Sequence, residues 1–354
     1  MRVLVTGYLG YVGPAVVAAF QNAGHHVIGF DNGYFEDCVD PLEPQPVPDG
    51  DIRRDVRDVG PGDVTDVDAI VHLAGLSNDP LGELAPALTP DINHAATLRL
   101  AALAKAAGCP RFVFASSCSL YGAAADCASP LEETAPLRPV SAYAQSKAAC
   151  ERDLGALADD RFSPVFLRFA TAFGASPRMR FDLVLNNLVA WARTTGEIRV
   201  LSDGTPWRPL VHIKDMAQAM LRAATAPRDI VHARPFNIGR DDNNLTVADL
   251  ARLVQNQVPG THIAITGENG SDPRSYRVDF RRAHRELPDF RPEWTVEMGC
   301  EEVDRWIRAR ELTADDFQSH RFIRLKHLQF LQEQGRVGAD LRLCAAPALA
   351  GAPR

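Results

Sequence analysis

A short apolar run, "RVLVT", is followed at once by three glycines spaced three apart, Gly7, Gly10 and Gly13, and then by a proline. A turn so free of side chains lets the backbone come close to whatever it faces. Proline suits the first turn of a helix, and Gly24 suits its end. The stretch therefore reads as strand, bare turn, helix. The start of such a helix offers unpaired amide donors to a negative group, and a pyrophosphate fits that place.

Further along, "HHVIGFD" puts Asp31 at the end of a second strand, 18 residues past Gly13. An acid there accepts the hydroxyls of an adenosine ribose and repels a 2′-phosphate. The expected cofactor is NAD rather than NADP.

The alternation continues. "AIVHLA", "RFVFASS" and "PVFLRF" read as strands buried on both faces. Between them lie the alanine-rich helical stretches "HAATLRLAALAKAAG" and "SAYAQSKAACERDLGALA". Strands alternating with helices predict an α/β fold: a Rossmann doubly wound parallel sheet with helices on both faces. "DPLEPQPVPDGD" at 40–51 reads as a surface loop. After about residue 170 the pattern becomes irregular. "DLVLNNLVAWARTTG" and "TVADLARLVQNQV" look helical and "EIRVLS" looks like a strand, which predicts a smaller C-terminal substrate-binding domain. "FIRLKHLQFLQEQG" reads as a terminal helix. The last stretch, 345–354, has no periodicity and is expected to be disordered.

Composition narrows the partners. A net charge of −7 over 354 residues argues against nucleic acid, whose binders carry a basic excess. No apolar run reaches the roughly 18 residues of a membrane span. The first strand begins at Arg2, so no signal peptide is expected. Seven cysteines without a C-x-x-C pair give no disulfide framework and no metal site, and fit a reducing cytoplasm.

Tyr143 and Lys147 are four residues apart on a predicted helix and share a face. An ammonium beside a phenol, together with a positive nicotinamide, would lower the tyrosine from its usual value of about 10 toward a useful base. Ser117 ends the strand in "RFVFASSCSLYG", where ligands of a parallel sheet bind. Alone, a Y-x-x-x-K pair is a common helical surface pair. After a dinucleotide turn and a serine-bearing strand end it reads as catalytic.

With these pieces in hand, the chain resembles the extended short-chain dehydrogenase/reductases, and within them the nucleotide-sugar epimerase and dehydratase group. The resemblance covers roughly residues 1–300. It rests on "TGYLGYVG", "FDN", "DVRD", "AIVHLAG", "SSCSLYG", "YAQSK", "WRPLVHIKD" and "FNIG", in that order. The resemblance implies that Ser117, Tyr143 and Lys147 are catalytic. It implies cofactor contacts at Gly7, Gly10, Gly13, Asp31, Asn32, Asp55, Val56, Leu73, Ala74 and Gly75, with Asn93 behind the active site. His72 would line the cofactor, or else be a satisfied structural histidine. For a nucleotide-diphosphate sugar it implies Ser117, Ser119, Thr171, Asn187, Leu188, Arg208 and Arg274.

The family carries out epimerisation, dehydration and decarboxylation, each beginning with hydride abstraction from carbon 4. Family dehydratases place Asp and Glu directly after the catalytic Ser/Thr. Cys118 and Ser119 stand there in this chain. That favours an NAD-dependent nucleotide-sugar 4-epimerase. A net 4-dehydrogenase or 4-ketosugar reductase shares the same triad. A dinucleotide-sensing protein would commonly lack the Tyr/Lys pair. Thr171, Phe173 and Pro209 depart from the family's Asn, Tyr and Asp. The expected division is an NAD-binding domain at 1–170 plus about 211–240, a sugar-binding domain at 171–210 and 241–312, and a helical extension at 313–344. The family further implies a homodimer through the helices around 94–107 and 143–158.

Overall fold

The computed structural model describes residues 1–122, 129–268 and 275–344. The strands are β1 (Arg2–Thr6), β2 (His26–Asp31), β3 (Gly50–Arg53), β4 (Ala69–His72), β5 (Arg111–Ser117), β6 (Ser163–Phe169), β7 (Thr171–Phe173), β8 (Glu197–Val200), β9 (Trp207–His212), β10 (Arg234–Ile238), β11 (Asn244–Thr246) and β12 (His262–Ile265). Seven form one sheet in the order β10-β6-β5-β4-β1-β2-β3. Every pairing in it is parallel. The chain reverses direction between β1 and β4, so the crevice at their carboxyl ends is where a ligand fits.

The helices are α1 (Gly13–Asn22), α2 (Asp79–Leu84), α3 (Ala96–Ala106), α4 (Ala142–Leu157), α5 (Val184–Thr195), α6 (Ile213–Thr225), α7 (Arg228–Val231), α8 (Val247–Gln257), α9 (Arg281–Glu286), α10 (Val296–Ala309), α11 (Ala314–Phe317) and α12 (Arg324–Glu333). Side chains alternate across the pleat of β1. Val3 and Val5 pack with Val16, Val17 and Phe20 of α1 and Met220 of α6. Leu4 faces the opposite layer with Leu100 of α3 and Leu154 of α4. This is the doubly wound Rossmann architecture read from the alternation.

The irregular second half builds a three-stranded sheet, β11-β9-β7, and a two-stranded one, β12-β8. Its hydrophobic residues continue the cluster on the α1 side. The surface-loop reading of 40–51 is corrected at its end: Gly50 and Asp51 pair with Ile28 and Gly29 as the start of β3. Its alternating half-exposed pattern hid it, because β3 is the edge of the sheet. The tail expected to be disordered, 345–354, lies outside the described residues. Among the described residues no helix is long and apolar enough to cross a membrane, and no group of side chains could hold a metal ion.

Candidate active site

A cavity of about 440 Å³ opens at the carboxyl ends of the central strands. The glycine turn forms one wall. Gly7 has a φ of +74°, and a Cβ there would stand 2.7 Å from the amide nitrogen of Ala74. Both facts require glycine. A Cβ on Gly13 would stand 2.0 Å from the carbonyl oxygen of Tyr8, so this glycine lets α1 start against the turn itself. No side chain caps α1, and no acid sits in its first turn. Its first amide donors are left for an anion. Gly7, Gly10 and Gly13 all line the cavity.

Asp31 ends β2 and accepts from the amides of Leu9 at 3.1 Å and Gly33 at 2.8 Å. It ties the glycine turn to the next strand. Burial raises its carboxyl, and those two amides oppose the rise. Asn32 accepts from the Tyr34 amide at 3.1 Å. Asp55 caps the turn at 56–58 and pairs with Arg57 at 2.7 Å. Asp31, Asn32, Asp55, Val56, Leu73, Ala74 and Gly75 all line the cavity.

Asn93 does not line it. The side chain is buried behind the wall, accepting from the Leu76 amide at 2.7 Å and donating to the Leu76 carbonyl at 3.1 Å and to Ser146 at 3.2 Å. It holds the loop after β4 against α4. His72 also stands behind the wall, within 2.7 Å of the hydroxyls of Thr6 and Thr97. Burial, then the charge of Lys147, pushes it down to about 3. It is a neutral structural histidine.

Ser117, Ser119, Tyr143 and Lys147 line the same cavity. Ser117 accepts from the Ser119 amide at 3.1 Å and is hydrogen-bonded to Tyr143. The Ser119 hydroxyl is buried and has no hydrogen-bond partner among the described residues. Cys118 turns the other way, donating to the carbonyl of Arg168 at 3.2 Å, and burial pushes its thiol well up. Lys147 donates to the carbonyl of Ala115 at 2.7 Å. One turn along α4, Glu151 accepts from Ser116 at 2.5 Å and pairs with Arg168 at 2.6 Å. That buried pair locks α4 against β5 and β6.

In the protein by itself, without the positive nicotinamide that the expectation included, Lys147 does not lower Tyr143. Burial, reinforced by Asp79, pushes Tyr143 up to about 12, with Ser117 opposing the rise. Burial also pushes Lys147 down to about 8. The ammonium's bonded partner is the carbonyl of Ala115, not the phenol. The further positive charge needed at Tyr143 has to arrive with the ligand.

Thr171 and Arg208 line the cavity from β7 and β9. Asn187 and Leu188 do not. Asn187 donates to the carbonyl of Phe181 at 2.8 Å, and Leu188 is in the core. They lie near the start of α5, and Asp182, Leu183 and Val184 line the cavity instead. Arg274 lies outside the described residues.

Several lining residues were missed by sequence reasoning. Arg180 forms a two-point pair with Asp182 at 2.9 and 2.8 Å and donates to Ser77 at 3.2 Å. Asn78 caps α2 and donates to Asp182 at 3.1 Å. Asp79 accepts from Ser141, the cap of α4. The polar runs "SNDP" after β4 and "RMRFD" after β7 were the available signals. Arg324, from α12, lines the cavity with no local signal at all.

The family model for NAD dependent epimerases and dehydratases matches residues 3–239, the span that builds this cavity's dinucleotide wall and triad. The chain belongs to the NAD dependent epimerase/dehydratase family. It is 25% identical over 334 residues to the UDP-glucose 4-epimerase of Bacillus subtilis (strain 168), covering 86% of this chain and 96% of that one. It is 28% identical over 321 residues to UDP-glucuronic acid decarboxylase 2 of Arabidopsis thaliana, covering 88% of this chain and 69% of the relative. Among solved structures, the NAD dependent NDP-hexosamine 5,6-dehydratase TunA, involved in tunicamycin biosynthesis, superposes with a TM-score of 0.75. It is 26% identical, with 87% of this chain and 98% of TunA covered. The cofactor of this family member is NAD. The protein's own residues fit it: a glycine cradle, free amides at α1, and an acid at the end of β2.

Proposed function

We propose that this protein is an NAD-dependent nucleotide-sugar 4-epimerase. The observation that supports the reading is the grouping of Ser117, Tyr143 and Lys147 in one cavity with the glycine turn, with no carboxylate next to Ser117 in sequence and Cys118 turned into the core. NAD, when bound, supplies a hydride acceptor that returns what it takes, and a positive nicotinamide ring. Tyr143 takes the proton of the sugar 4-hydroxyl and later gives it back. The Ser117 hydroxyl holds the reacting oxygen beside it, and the unpartnered Ser119 hydroxyl is available to the sugar. Lys147 keeps positive charge beneath the phenol. Arg208, and by family position Arg274, serve the diphosphate, for which arginine's paired donors suit two oxygens.

In this reading the NAD-binding part is 1–170 with about 211–240, and the sugar lies between it and the part at 171–210 and 241–312. The proposal includes a homodimer through α3 and α4, which light scattering of the purified protein would test.

One observation favours a second reading. Asp79 lines the same cavity as Tyr143 and Ser119. A carboxylate there is a candidate acid or base for elimination, although it comes from α2 and not from the strand end. Mass spectrometry of the long-time reaction with UDP-sugars separates the two. A product of unchanged mass, inverted at carbon 4 by NMR and formed without net NADH, is expected. A product lighter by one water would favour dehydration through Asp79, and accumulating NADH a net dehydrogenase.

A further inference from the structure

The C-terminal segment packs onto the cofactor side of the cavity. Leu328, Leu331, Val337 and Leu341 form one apolar cluster with Tyr34, Leu76, Leu81 and Ile92. Those last four residues line the cavity. Arg57 donates to the carbonyls of Asp340 at 2.8 Å and Leu341 at 2.7 Å, and Tyr34 donates to Leu341 as well. His327 bonds the carbonyl of Tyr34 at 2.9 Å.

Arg324 begins α12 on this packed segment and is 1% exposed. Its guanidinium donates to two carbonyls, Arg178 at 2.7 Å and Arg321 at 3.3 Å, and stands 4.9 Å from the ring centroid of Phe35. Among the described residues no carboxylate forms an ion pair with it, Asp182 acting on it only at longer range, and its described hydrogen bonds use two of its five donors. Burial accordingly holds its pKa down at about 10. Arg178 beside it is 4% exposed, and among the described residues it too has no carboxylate ion pair and keeps an unpartnered Nε. Arg180 is different, since Asp182 already neutralises it. A buried cation without a directly paired anion is unfavourable unless a ligand brings one. Arg324 and Phe35, in contact with each other, line the same cavity as Asn32 and Asp31.

We propose that Arg324 binds the diphosphate of the dinucleotide, making the C-terminal segment a working wall of the cofactor site. This rests on dinucleotide binding and not on which sugar reaction follows. The wall joins residues more than 300 positions apart in sequence. It predicts that ordering of the segment and retention of the cofactor are coupled.

The test uses full-length protein freed of nucleotide, with ADP-ribose, adenosine and UDP titrated calorimetrically into the parent, Arg324→Met and Arg324→Lys. Arg324→Met should weaken ADP-ribose at least tenfold and leave adenosine and UDP within twofold. Arg324→Lys should weaken ADP-ribose by less, again sparing adenosine, and carries the test should the methionine variant not fold. Equal weakening of adenosine would mean that Arg324 acts only through the scaffold, and would overturn the assignment. So would an unchanged affinity for ADP-ribose, or a loss confined to UDP. A parent that fails to bind ADP-ribose would overturn the dinucleotide reading along with it.

Discussion

The Lys147 ammonium lies 5.8 Å from the centroid of the Tyr143 ring and donates its bond to Ala115, not to the phenol. The i, i+4 spacing brings the two to one face of α4, and the bond to β5 decides where the ammonium points. Tyr143→Phe removes only the proton acceptor. Turnover should fall by about 10²–10⁴-fold, the usual worth of acid–base catalysis. Binding of the nucleotide sugar, measured by calorimetry, should stay within twofold. Activity within a few-fold of the parent would remove Tyr143 from this role.

The proposed role of Asp31 is to set the choice of dinucleotide. Freshly purified, denatured protein should release NAD(H) and not NADP(H), read by chromatography of the supernatant. Asp31→Asn removes the like charge facing a 2′-phosphate while keeping a side-chain oxygen for the Leu9 or Gly33 amide. Its preference for NAD over NADP should shrink by about tenfold, roughly one charge interaction of 1.4 kcal/mol. An unchanged ratio would put the selectivity elsewhere.

The buried pair between Glu151 and Arg168 holds the helix that carries Tyr143 and Lys147. Removing one partner strands the other charge in the interior. Glu151→Ala should lower stability in urea by about 3–5 kcal/mol, as for other broken buried pairs. A loss below about 1 kcal/mol would show that Arg168 finds another anion.

His72 makes the fold sensitive to acid. Its folded value is about 3, against about 6.5 when free. As pH falls below 6.5 the unfolded chain takes up a proton that the folded one refuses. Stability from this group is therefore complete above pH 6.5 and is lost progressively down to about pH 3. By pH 5 the loss is about 2 kcal/mol. His72→Asn should show a smaller drop in denaturation midpoint between pH 7.5 and pH 5 than the parent. An equal drop would assign the acid sensitivity to other groups.

Much of the cofactor half was legible because its signals are local. Glycines three apart, an acid at a strand end, and a tyrosine one helical turn before a lysine are spacings that strand and helix geometry convert directly into shared faces. Asn93 and His72 were harder. Nothing local distinguishes a polar side chain that touches a ligand from one that braces the wall behind it, and the hydrogen bonds to Leu76, Thr6 and Thr97 decide that. Asn187 and Leu188 do not line the cavity, because the helix starting at Val184 turns Asn187 to the Phe181 carbonyl and Leu188 into the core.

The sequence by itself determined the doubly wound sheet, the NAD preference expected of Asp31, and the shared face of Tyr143 and Lys147, since each depends on residues close along the chain. Only the tertiary structure decided that Asp79 and Arg180 enter the active-site cavity, that Cys118 faces away from it, and that Arg324 reaches it. Those outcomes depend on how loops and a distant helix pack against one another. Burial then sets the charge of what they bring together: the same desolvation raises Tyr143, lowers Lys147, and leaves Arg324 a cation in need of an anion.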